Sequence, residues 1–112
     1  MSMIENRIAA IESTIESARN IPGERKAELL QLVSELKAEV GRLAETHHEE
    51  ASSISRFADA SAHELARAEK KPQLADTALQ GLRLSIEGLE ESHPVIVGVV
   101  NRFANALSNM GI

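Results

Sequence analysis

Two histidine–carboxylate spacings mark where this sequence could do chemistry. Glu45-x-x-His48 and Glu90-x-x-His93 place both groups on one face if the segment is helical. That i, i+3 arrangement builds the carboxylate-bridged metal sites found inside helical bundles. The register derived below also sets Glu50 opposite His93, with His47 one layer away, so His47, Glu50, Glu90 and His93 are the weak metal candidates. A ferritin-like centre would want single Glu ligands from two further helices as well, and the first helix offers only isoleucine on its seam. The competing reading is structural. A polar layer inside an apolar seam fixes register and partner at some cost in stability. A third reading is a solvated pair with no role, and His63 beside Glu64 is assigned none.

Other chemistry finds little footing. The chain has no cysteine, which removes disulfides, thiolate catalysis and Cys-ligated zinc. It has no Gly-x-Gly-x-x-Gly, no Gly-x-x-x-x-Gly-Lys, no Gly-x-Ser-x-Gly and no His-Glu-x-x-His. Ser52, Ser53 and Ser55 lie near His47 and His48, but one helix supplies no oxyanion hole. The expectation is a protein that is not an enzyme, with no catalytic residue and no cofactor.

The composition points the same way. Over 112 residues, 43% are hydrophobic and 26% charged, with a net charge of −5. A core can form, and the chain does not read as disordered. The 12 Lys and Arg are scattered, with no basic stripe to neutralise phosphates, which argues against nucleic acid. No run of about 18 apolar residues exists to span a membrane. The N-terminal residues lack a signal peptide's basic and apolar regions. The expectation is a cytoplasmic protein.

Periodicity supplies the elements that would hold these residues. Ile4, Ile8, Ile11 and Ile15 repeat at helical spacing, predicting a helix over about 3–19, broken by Asn20-Ile21-Pro22-Gly23. A second seam runs Leu29, Val33, Leu36, Val40, Leu43, His47, Glu50, Ile54, Phe57, Ser61 without losing phase. It predicts one helix over 24–70, about 70 Å long. The polar stretch Thr46 to Ser53 is its one candidate break. Lys71-Pro72 ends it. A third seam, from Ala75 through Leu82, Leu89, His93, Val100 and Phe103 to Met110, predicts helices over 73–91 and 94–110 with a kink or restart at Pro94. Gly111 is placed to close the last helix, with Ile112 folding back on Leu107.

Folding these seams antiparallel gives matched layers. Helices one and two pair Ile15/Leu29, Ile11/Val33, Ile8/Leu36 and Ile4/Val40. Helices two and three pair Val33/Met110 through Leu43/Val100, Glu50/His93 and Ile54/Leu89 to Ser61/Leu82. The fold class is therefore all-α: one domain over 1–112, a coiled-coil-like antiparallel bundle with a long central helix, a short N-terminal helix and a kinked C-terminal helix. In this register the second half of the long helix meets only helix three. A two-helix hairpin covers too little of its apolar stripe, so the 50–90 hairpin is expected to form a homodimer or higher homo-oligomer, or to meet an unidentified protein. The functional expectation is a self-associating structural or interaction module; the alternative is a small metal-binding bundle using the His/Glu cluster.

The ending "EESHPVIVGVVNRFANALSNMGI" resembles that of a family of short bacterial proteins catalogued as domain of unknown function 4404. "KAELLQLVSELKAEV", Lys26 to Val40, is similar to that family's middle helix. The resemblance implies a bacterial helical protein without an assigned activity, and it places His93-Pro94 in the family's pattern.

Overall fold

A computed structural model describes residues 3–110. Among them are five helices: α1 (Met3–Ser17), α2 (Gly23–Ala44), α3 (His48–Ala66), α4 (Pro72–Leu84) and α5 (Pro94–Asn109). There is no strand among the described residues, and the helices pack on one another as an all-α bundle. Gly111 and Ile112, expected to cap the last helix, lie outside the described residues.

The isoleucine seam of α1 is its buried face. Ile4, Ile8, Ile11 and Ile15 are all buried, and α1 packs against both α2 and α3. α1 has no basic residue in its last turn, and the next helix supplies one. Lys26 Nζ, in the first turns of α2, donates to the carbonyls of Glu16 at 3.0 Å and Ala18 at 2.8 Å. A cation on the orphan carbonyls at a helix C-terminus satisfies both their hydrogen bonding and the negative end of the helix dipole.

The long helix expected over 24–70 is two helices. α2 ends at Ala44 and α3 starts at His48, and α3 doubles back to pack on α2. The longest principal extent of the molecule is 37 Å, about half of what an unbroken helix of that length requires. The break falls in the polar stretch that the sequence offers for it. Intact phase on both sides is explained by the core: each half points its apolar face at the same interior, whether or not the axis is straight. Likewise, the helix expected over 73–91 ends at Leu84. Gly88 follows at φ +90°, a left-handed conformation that glycine adopts without steric cost, so α4 and α5 are separate helices rather than one kinked one.

This corrects the environment of α3. The helix lies against α1 and α2 as well as α4, and touches α5. Its buried residues, Ala51, Ile54, Ser55, Ala58, Ser61, Ala62 and Leu65, are mostly small, which lets several neighbours approach closely. The two buried hydroxyls are satisfied locally, with Ser55 Oγ donating to Ser52 O at 2.8 Å and Ser61 Oγ to Phe57 O at 2.8 Å. The C-terminus of α3 is held by Asn20, whose Nδ2 donates to Leu65 O at 2.8 Å, and by Lys70 Nζ on the same carbonyl. Buried side chains from all five helices join in one core.

Candidate functional site

The two chain reversals that break the expected helices share one local design. Leu43-Ala44-Glu45-Thr46-His47 precedes α3, and Leu89-Glu90-Glu91-Ser92-His93 precedes α5. Each histidine is the N-cap residue, with φ/ψ of −134°/64° at His47 and −137°/62° at His93. In each, the histidine N–H donates to the leucine carbonyl four residues back, at 2.7 Å and 2.8 Å. In each, the preceding hydroxyl meets the imidazole Nδ1: Thr46 Oγ1 at 2.7 Å and Ser92 Oγ at 2.9 Å. A hydroxyl both donates and accepts, so this bond holds in either tautomer.

The repeated turns meet through their rings. His47 and His93 lie edge to face, with centroids 4.7 Å apart and planes at 75°. The starts of α3 and α5 are therefore brought side by side, and the register that placed His47 within a layer of His93 is right about proximity. It is wrong about the reason, since both residues sit in turns and not in a helical seam.

Glu50 is half-buried in the first turn of α3, and its Oε2 is buried without a hydrogen-bond donor among the described residues. A glutamate three residues after the N-cap ordinarily accepts from the N-cap N–H. Here that N–H is already given to Leu43 O. Glu90 is exposed and accepts from the Gly88 N–H at 2.8 Å, so it serves the turn. The spacings Glu45-x-x-His48 and Glu90-x-x-His93 do not define helical faces, because the first straddles the α2–α3 break and the second lies in a turn. Among the described residues no three His, Asp or Glu side chains gather closely enough to hold a metal ion.

An open cavity of about 240 Å³ borders His93, lined among others by Glu39, Arg42, Ser92 and Val95. Its cation is engaged, since Arg42 pairs with Glu39 at 2.8 Å. No described helix is long and apolar enough to cross a membrane.

A different feature escaped the sequence reading. Phe57 was expected in the inward seam, yet it is 39% exposed. Its ring lies across Gly81 of α4: a Cβ there would come within 2.2 Å of Phe57 Cε1. Leu74 and Leu84, 49% and 53% exposed, fall on the same side of α4 as Gly81, because 74, 77, 81 and 84 step by three and four. The signal was available in the glycine. A ring that finds no side chain opposite it can lie flat on the neighbouring backbone and remain partly in water.

These features define a small all-α bundle with a histidine-paired double turn and one apolar flank. The chain belongs to the family described as Domain of unknown function (DUF4404), whose model matches residues 29–112. The match begins inside α2, so α1 lies outside it although its isoleucines complete the core. No curated protein and no solved structure matches the chain.

Proposed function

We propose that this protein is a non-enzymatic helical module that works by self-association through its α3–α4 hairpin. One observation carries the reading. Five large apolar side chains are exposed among the described residues: Met3, Phe57, Leu74, Leu84 and Val95. Met3 and Val95 sit at the starts of α1 and α5, while Phe57, Leu74 and Leu84 share the flank centred on Gly81.

α3 is not left with α4 alone, because α1 packs against it. What supports the reading now is this flank, which spans about 15 Å of α4 between its two leucines. Large apolar side chains exposed together on one side of a helix are candidates for an interaction site, and symmetric homo-oligomers are the commonest closed assemblies.

Sedimentation equilibrium over a concentration series tests the proposal. A reversible monomer–dimer equilibrium is expected in the wild type, with Leu84→Lys monomeric and its helical circular dichroism unchanged. A wild type that stays monomeric to near-millimolar concentration would overturn it. So would a dimer that Leu84→Lys leaves intact.

A further inference from the structure

Charge at the two ends of the apolar flank specifies how two copies meet. Lys70 and Lys71 are exposed just before α4, and Glu87, Glu90 and Glu91 are exposed just after it. With Glu69 beside the two lysines and Arg83 in the last turn of α4, both also exposed, the flank is net basic at one end and net acidic at the other. Placing two copies parallel would set like charge against like at both ends; placing them antiparallel sets each basic end against an acidic one.

We infer that two copies associate about a two-fold axis with their α4 helices antiparallel, Leu74 of each facing Leu84 of the other and Lys71 of each facing Glu87 of the other. The inference rests on the self-association reading and adds its geometry. Both pairings arise from one register, because Lys71 precedes Leu74 by the same interval that Glu87 follows Leu84. At the centre of that register Thr77 meets Gly81. The missing side chain at Gly81 is supplied by the Phe57 ring lying over it, so the middle of the flank presents an aromatic surface where α4 alone would leave a gap. The same patch is used by both copies, as a two-fold interface requires. Lys71 is half-exposed, and its one ion pair, to the highly exposed Glu69, is long at 4.0 Å, which leaves the ammonium accessible to an incoming carboxylate.

Charge reversal tests the geometry in the full chain. Lys71→Glu and Glu87→Lys each create two repulsive contacts in a homodimer, and each is expected to weaken dimerisation about tenfold. An equimolar mixture of the two variants restores both contacts and should associate as tightly as the wild type. The double variant Lys71→Glu/Glu87→Lys should recover the homodimer within a single sequence. Both sites are exposed, so circular dichroism and thermal unfolding should match the wild type throughout. If the wild type dimerises but the single variants do so equally well, or neither the mixture nor the double variant is restored, this antiparallel register is overturned while self-association stands. A wild type that never dimerises overturns both.

Discussion

The imidazoles of His47 and His93 meet edge to face at 4.7 Å, and this contact joins two turns built alike. Each ring is anchored at Nδ1 by the hydroxyl before it, so neither is free to swing away when the other is removed. The pair is accordingly expected to behave as one unit. Aromatic contacts of this geometry contribute about 0.5–1.5 kcal/mol beyond area burial. A double-mutant cycle with His47→Ala and His93→Ala should return a coupling energy in that range from urea unfolding. Strictly additive effects would show that the contact holds nothing together.

Lys26 joins α1 to α2 through two carbonyls at the end of α1. Hydrogen bonds from a charged donor are worth about 1.5 kcal/mol or more net, and Met keeps the aliphatic stem while deleting the donor. Lys26→Met should therefore lower unfolding free energy by about 1.5 kcal/mol, with the urea midpoint reporting it. An unchanged midpoint would leave the α1 terminus without the support assigned to it.

Gly81 and Phe57 should show a reversal of sign. Alanine is favoured over glycine in a helix by about 1 kcal/mol, but a Cβ at position 81 would meet the Phe57 ring at 2.2 Å and 2.3 Å. Gly81→Ala should destabilise the wild type by about 1–3 kcal/mol, the usual cost of overpacking. In a Phe57→Ala background the same change should stabilise by about 1 kcal/mol. Thermal unfolding of the four proteins measures it; the same sign in both backgrounds would contradict the contact.

α1 lies outside the residues matched by the family model, yet Ile11 is fully buried in the core that α1 shares with the other helices. Ile11→Ala is expected to cost about 2–5 kcal/mol and to leave a single unfolding transition by both far-ultraviolet circular dichroism and chemical denaturation. A minor early transition that spares the rest of the chain would make α1 an appendage.

How much of this was legible in the sequence follows from what each pattern encodes. Apolar spacing reports which face of a helix is buried, and it identified Ile4, Ile8, Ile11 and Ile15 and the faces of α2 and α5 correctly. It does not report the direction of the axis, so a seam that continues through Glu45-Thr46-His47 looks the same whether the chain runs on or doubles back. The composition of α3 held the missing clue: Ala51, Ser55, Ala58, Ser61 and Ala62 are small because α1, α2 and α4 crowd around them. Glu45/His48 and Glu90/His93 lack the helical geometry that an i, i+3 ligand pair requires. The Leu-x-Glu-(Thr/Ser)-His repeat is in plain view in the sequence, but it gains meaning only when the two backbone turns meet through the His47–His93 ring contact.

Native mass spectrometry of the untagged full chain, purified without chelators, tests the central claim most directly, because it counts subunits and detects bound metal in one spectrum. The α3–α4 flank predicts a metal-free dimer that Leu84→Lys reduces to a monomer. A monomer across the accessible concentration range, or a stoichiometric metal lost in His93→Ala, would contradict the account.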